Sequence, residues 1–122
     1  VLQKFLFTSE TEYRKNRSRL TFVFEENVPQ YVICHVTSLN HRPTLRILKG
    51  QENVTSQFVS VVNSTTRGPP GLQEIVWDAY LLKPDFVLKE SDRGKMLRCM
   101  AWFKKPFPKG TARRAALKVV CK

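Results

Sequence analysis

The chain has 122 residues and a formal net charge of +11, because 21 lysines and arginines outnumber 10 aspartates and glutamates. This length supports one domain with one modest hydrophobic core, and it excludes two independently folded domains. No apolar run approaches the ~20 residues of a membrane-spanning helix, so we expect no direct membrane insertion of this segment. The first residues do not resemble a signal peptide, and we therefore expect a mature fragment of a longer or already processed protein.

The N-terminal region, residues 1–19, is expected to be an edge strand followed by an insertion. Leu2, Phe5 and Phe7 indicate a first short edge strand. The second half of this region is polar and charged and predicts no regular element. The main domain is therefore expected to occupy residues 20–122.

Short β-rich segments follow one another through the main domain, separated by turn signals such as Gly68-Pro69-Pro70-Gly71. We expect strands at residues 20–24, 31–38, 44–48, 58–62, 74–82, 96–103 and 115–121. Pro84 is expected to end the strand before it, and the last two strands are expected to pair in antiparallel fashion. No long apolar stripe at helical period appears, and the pattern therefore predicts an all-β sandwich or barrel.

Two cysteines lie in the middle of expected strands, each on an apolar face. Cys34 alternates in phase with Val32 and Val36. The residues that share the face of Cys99 are Leu97, Ala101 and Phe103. The sequence before Cys99 is Asp92-Arg93-Gly94-Lys95-Met96-Leu97-Arg98, in which Asp and Gly supply the chemistry of a tight turn.

This arrangement resembles the immunoglobulin superfamily, in particular the C2-like set domains of nectin-type and B7-type cell-surface receptors. The resemblance covers about residues 22–122 and implies an immunoglobulin-like antiparallel β-sandwich with a Cys34–Cys99 disulfide between its two sheets. A disulfide that closes so long a loop is expected to stabilise the folded protein by about 4 kcal/mol, because it reduces the entropy of the unfolded chain. The family usually has a Trp where Ile47 stands, and Asp92 resembles a structural residue of the family.

Three Asn-x-Ser/Thr tripeptides, at Asn16, Asn53 and Asn63, predict N-glycosylation and a secretory route. A disulfide agrees with an extracellular compartment. The third cysteine, Cys121, is in phase with Leu117 and Val119 and is expected to point inward near the end of the sandwich. Two interpretations stay open for Cys121: a buried thiol or one whose partner was lost by truncation, and a disulfide to a neighbouring domain or chain.

Catalysis has little support in the sequence. His35 is expected at an outward strand position and His41 in a loop, and neither belongs to a zinc-binding spacing. Phosphate-binding loops and nucleophile motifs are also missing from the sequence. We therefore expect no enzyme activity, no cofactor and no metal site.

The excess of positive charge is concentrated near the C-terminus. The residues expected to bind a polyanion are Lys104, Lys105, Lys109, Arg113 and Arg114. A cationic hairpin attracts acidic partners, and heparan sulfate is the obvious extracellular polyanion. A basic loop that only keeps the protein soluble is the alternative. Nucleic acid binding is not expected, because the sequons and the cysteine pattern point outside the cell.

The strand that contains Cys99 has a second, outward face. The residues expected to contact a partner there are Met96, Arg98, Met100 and Trp102. Methionine, arginine and aromatic side chains are enriched at the centres of interfaces, and the resemblance implies that this sheet binds partners. The alternative is that the N-terminal extension or a missing domain covers these residues.

These observations predict a non-enzymatic extracellular recognition module, which is glycosylated and belongs to a cell-surface or secreted receptor or adhesion protein. Its partner is expected to be another cell-surface or secreted protein. A secreted heparin-binding factor or decoy that acts through the basic C-terminal hairpin is the alternative function.

Overall fold

The computed structural model describes residues 2–16, 19–104 and 110–121, except for the side chains of Lys15 and Asn16. The described strands are β1 (Leu2–Ser9), β2 (Glu12–Asn16), β3 (Arg19–Glu25), β4 (Gln30–Leu39), β5 (Thr44–Lys49), β6 (Glu52–Asn53), β7 (Val59–Arg67), β8 (Glu74–Phe86), β9 (Met96–Trp102) and β10 (Gly110–Val120). Two short 3₁₀ helices lie at Thr55–Gln57 and Glu90–Asp92.

The strands form two sheets that pack face to face. Sheet I has the strand order β1-β4-β8-β7, and sheet II has the order β2-β3-β10-β9-β5-β6. Neighbouring strands pair in antiparallel fashion, including β9 with β10 as predicted, except that β3 runs parallel to β10. The predicted all-β sandwich is therefore confirmed.

The core lies between the sheets and is built by alternation along each strand. The residues that point inward from β3, β4 and β9 are Leu20, Phe22, Phe24, Val32, Cys34, Val36, Leu97, Cys99 and Ala101. Cys34 in sheet I and Cys99 in sheet II form a disulfide with a Cα–Cα distance of 6.5 Å. Ile47 is paired with Cys99 in the β5–β9 register and is fully buried, so it fills the space beside the disulfide.

Several strands differ in extent from the sequence-based expectation, and β10 already begins at Gly110, five residues before the expected start. β7 continues to Arg67, and residues 12–16 form β2 at the edge of sheet II. Pro84 does not end β8, which runs on to Phe86. The β4–β8 register shifts between Gln30 and Val32, opposite Pro84, so the missing N–H of this proline falls at an irregularity of the ladder.

The expectation that Cys121 points inward is wrong. β10 ends at Val120, and Cys121 follows it as an exposed free cysteine. Alternation holds only while a strand continues, because a residue past the last ladder pair is no longer held in phase with the pleat. A buried thiol is thereby excluded as the interpretation of Cys121.

Candidate recognition surface

The outer face of sheet II is the side of this sheet that points away from sheet I. Its central strand is β9, where Met96, Arg98, Met100 and Trp102 alternate with the buried core residues. Met96 is 39 % exposed, and the other three are partly buried by their neighbours. The expected partner-binding residues therefore do lie together on one solvent-facing surface.

Three arginines from three adjacent strands lie on this outer face. Arg114 of β10 is directly opposite Arg98 of β9, and Arg46 of β5 is directly opposite Met100. The guanidinium carbon of Arg46 lies 5.0 Å from the centroid of the Trp102 ring, which is a cation–π contact. We call Arg46, Arg98, Arg114 and Trp102 the arginine cluster.

The arginine cluster has no carboxylate partner among the described residues. The ion pairs found in that part of the chain involve other residues, such as Lys49 with Asp92 and Arg67 with Glu74. Like charges that face each other across two strands are destabilising. The Arg98–Arg114 pair therefore carries an unfavourable interaction that an anionic partner would relieve.

A groove runs beside the arginine cluster towards the edge of the sheet. Tyr13 and Arg19 lie on one side of it, and Met96 and Arg114 lie on the other. The groove has a volume of about 430 Å³, and Tyr13 is 59 % exposed. Tyr13 lies on β2, in the polar part of residues 1–19 where no regular element was expected. This strand therefore extends the surface with an aromatic side chain.

The predicted polyanion-binding residues do not form one cluster in the described chain. Arg113 and Arg114 point to opposite faces of β10, because side chains alternate along a strand. The Arg113 guanidinium carbon lies 5.0 Å from the Phe5 ring centroid, in a cleft between β1 and β10. Lys104 is exposed, whereas Lys105 and Lys109 lie outside the described residues.

Sequence reasoning missed Arg46, Tyr13 and Arg19 as members of this surface. Arg46 was detectable, because it alternates with the buried Ile47 and must point outward from β5. Its position beside Trp102 was not detectable, because the cross-strand register depends on pairing between distant segments. The same holds for Tyr13 on β2.

A buried aspartate supports the turn that leads into β9. The Asp92 carboxylate accepts a hydrogen bond from the backbone N–H of Lys89 at 3.0 Å and pairs with the ammonium groups of Lys49 and Lys95, each at 3.3 Å. Burial alone raises the pKa of Asp92, but these three donors outweigh it, so the pKa lies below its usual value. Asp92 thus anchors the turn as an ionised structural residue.

The exposed Cys121 thiol lies beside two carboxylates. Its Sγ atom is 3.6 Å from Glu90 Oε2 and 3.7 Å from Glu26 Oε2. The negative charge of Glu90, and less strongly that of Glu26, raises the pKa of Cys121 above its usual value. The thiol is therefore protonated at neutral pH, and the arrangement does not favour a reactive thiolate.

The two sequons with described side chains have different surroundings. The Asn53 side-chain oxygen accepts hydrogen bonds from the hydroxyl and the backbone N–H of Thr55, at 2.6 and 3.0 Å. Asn63 is exposed in the middle of β7, at the edge of sheet I. The side chain of Asn16 lies outside the described part.

In the described part of the chain, no helix has the length and apolar character that crossing a membrane requires. Neither a protein-family model nor a curated protein matches this sequence.

Proposed function

We propose that this domain is a non-enzymatic extracellular recognition module with an immunoglobulin-like fold, and that it binds another protein through the outer face of sheet II. The observation that carries the proposal is the arginine cluster, which lacks carboxylate partners in the described chain. Beside it lie Met96 and Met100 on the same face of β9.

The composition of this face is suited to an interface. Arginine, methionine and aromatic side chains are enriched in the centres of protein–protein contacts, and a Trp or Arg there often dominates the binding energy. The Trp102 ring already contacts the Arg46 guanidinium, and this contact favours the ring position that a partner would pack on. The unbalanced positive charge favours a partner with an acidic surface.

The extracellular location has two supports. The Cys34–Cys99 disulfide is typical of proteins that fold in an oxidising compartment. Asn53 and Asn63, two of the sequon asparagines, are exposed as acceptor sites must be. A cell-surface or secreted receptor of the immunoglobulin superfamily combines both features.

The proposal predicts which side chains the binding depends on. Fluorescent tetramers of the intact chain, produced in a secretory host, are incubated with a panel of cell lines, and the bound fluorescence is measured. Trp102→Ala and Arg46→Ala are each expected to weaken binding about tenfold or more, as interface hot spots do.

Arg42→Ala is the matched control, because Arg42 also stacks on a tryptophan but does so on Trp77 of sheet I, at 5.9 Å. It is expected to bind as the wild type does, and thermal melting verifies that each variant is folded. Equal binding by all four proteins would contradict the proposal.

Heparan sulfate binding is the second candidate function, since three arginines converge where the described residues offer no neutralising acid. Arginine binds sulfate through paired donors in a fixed fork. Heparinase treatment of the cells separates the two candidates. Binding that survives the treatment supports a protein partner, and binding that disappears supports the glycosaminoglycan.

A further inference from the structure

The outer face of sheet I, which points away from sheet II, has an apolar surface unlike that of sheet II. The side chains that alternate away from the core there include Leu6, Ile33, Tyr80, Leu82, Val59 and Val61. Val59 is 58 % exposed and Leu6 is 41 % exposed. Exposed apolar surface that spans four adjacent strands usually has a partner or a cover.

One polar pair lies within this apolar face. His35 of β4 contacts Asp78 of β8, and their side chains are 26 % and 47 % exposed. The His35 ring also packs edge-on against Tyr80, with 6.2 Å between the ring centroids. The face therefore combines an aromatic ring and aliphatic groups with a partly exposed, hydrogen-bonded His–Asp pair.

A sequon asparagine lies on the same face. Asn63 is in phase with Val59 and Val61 on β7, and it is directly opposite Asp78 of β8. Tyr80 lies two residues further along β8 than Asp78, so it is a diagonal neighbour of Asn63, at a spacing of about 7–8 Å. A group attached to Asn63 thus begins beside the His35–Asp78 pair and next to the apolar residues.

We propose that an N-linked glycan on Asn63 covers the outer face of sheet I and keeps this face from associating with a second copy of the chain. In the transfer, the Asn63 Nδ2 atom forms a bond to the anomeric carbon of an oligosaccharide carried on a lipid pyrophosphate. The bond between that carbon and the pyrophosphate oxygen breaks, the lipid pyrophosphate leaves, and Nδ2 loses one proton. The proposal rests on the secretory location in the proposed function.

A glycan suits this face better than a second copy does. Pyranose rings have apolar faces that pack on tyrosine and aliphatic side chains, and hydroxyl groups that hydrogen-bond to partly exposed charges. Packing two such faces together would instead bury the polar His35–Asp78 pair, which weakens a dimer relative to glycan cover but does not prevent it. A glycan on Asn63 also blocks such packing by its bulk.

The same glycan protects an open sheet edge. β7 pairs only with β8 in the described chain, so its other side presents unpaired backbone groups over the nine residues Val59–Arg67. This strand contains no proline or lysine, which are common devices against edge-to-edge pairing. Asn63 is the middle residue of the strand, where a bulky substituent hinders pairing most.

The test uses the intact chain secreted from mammalian cells. Peptide mass spectrometry measures the occupancy of Asn63, light scattering after gel filtration measures the oligomeric state, and binding of a hydrophobic dye measures exposed apolar surface. Asn63→Gln and Thr65→Ala remove the sequon, whereas Thr65→Ser keeps it. We expect the first two variants to bind several-fold more dye and to dimerise as concentration rises, and the third to behave as the wild type.

Two further samples control the interpretation. Asn53→Gln removes a sequon on sheet II and is expected to leave dye binding and the oligomeric state unchanged, apart from the mass of the glycan lost at that site. Trimming the folded wild-type protein to its first sugar with an endoglycosidase avoids any folding defect of a variant and is expected to reproduce the Asn63→Gln result. Val59→Lys, added to Asn63→Gln, is expected to restore the monomer.

Several results would overturn the proposal. The first is that Asn63 has no glycan in secreted protein whose Cys34–Cys99 disulfide has formed. This result would rule out the glycan cover and leave the proposed recognition function untouched. The second is that Asn63→Gln stays monomeric and binds no more dye than the wild type. The third is that trimming the glycans of the wild type changes neither its dye binding nor its oligomeric state.

Discussion

At the scale of single residues, one buried carboxylate and the groups that contact it explain why β9 begins where it does. Asp92 holds the turn before β9 through Lys89, Lys49 and Lys95. Gly94 occupies a positive φ of 84°, a conformation that side chains with a Cβ rarely adopt. The turn fixes where β9 begins, and so it fixes which of its side chains face the solvent.

Asp92→Asn is expected to lower the free energy of unfolding by about 1–3 kcal/mol at pH 7, because a charge-assisted contact is lost while its partners stay. The pKa of Asp92 is lower in the folded protein than in the unfolded chain. Its stabilisation is therefore present above the unfolded pKa and disappears as the pH falls through the folded one.

Urea denaturation between pH 7 and pH 3 measures both effects. The difference in free energy of unfolding between the wild type and Asp92→Asn should become smaller below about pH 4, where the Asp92 carboxyl group of the unfolded chain binds its proton. A difference that stays constant over this range would show that Asp92 acts through its shape and not through its charge.

At the scale of secondary-structure elements, the β9–β10 ladder places two like charges opposite each other. Arg98 and Arg114 stand directly opposite each other in adjacent central strands of sheet II. Surface stability alone does not favour two like charges at such positions. In the proposed function, contact with an acidic partner would offset this local cost in stability.

Arg114→Glu is expected to raise the stability of the domain by about 0.2–1 kcal/mol, because a repulsive cross-strand pair becomes an attractive one. The same change is expected to abolish binding to cells, since an acid then occupies the centre of the cationic surface. Thermal melting and the tetramer assay measure the two effects on one sample.

Arg114→Ala is the companion variant, because it removes the repulsion without adding an attraction. The free energy of unfolding of Arg114→Ala should lie between those of the wild type and Arg114→Glu. A loss of stability in both variants would show that the Arg114 side chain supports the fold by packing, and the pair would then need no functional explanation.

At the scale of the whole molecule, the two sheets have different outer faces. Sheet II carries the arginine cluster and a groove, whereas sheet I carries an apolar face with a sequon at its edge strand. The domain thus has one surface suited to an acidic partner and another suited to a glycan. The disulfide between Cys34 and Cys99 joins the two sheets behind both faces.

Replacing Cys34 and Cys99 together by alanine is expected to cost about 2–5 kcal/mol of stability, because the unfolded chain regains the freedom that a loop of 65 residues had lost. Denaturant unfolding of the oxidised protein and of this variant measures the difference. Cys121→Ala should change stability little, since this cysteine is exposed and lies after the last strand. Equal stability of the wild type and the double variant would contradict a structural role for the disulfide.

Some of this architecture follows from the sequence alone. Alternation along β9 predicts that Leu97 and Cys99 point inward and that Arg98 and Trp102 point outward, and the burial of these residues agrees. The cysteine positions predict the disulfide through the family resemblance, and the absence of helical periodicity predicts the all-β class. These features depend on residues that are close in the sequence, so the two-residue alternation of side chains along a strand is enough to predict them.

Only the tertiary structure decided which of these residues lie together. Arg98 faces Arg114, Arg46 stacks on Trp102, and Asn63 stands opposite Asp78 because of registers between segments far apart in sequence. A shift of one residue in any ladder would move a whole row of side chains to the other face. The sequence by itself thus determined the faces of the strands, whereas long-range pairing determined the sites, because register is fixed by the packing of the complete core.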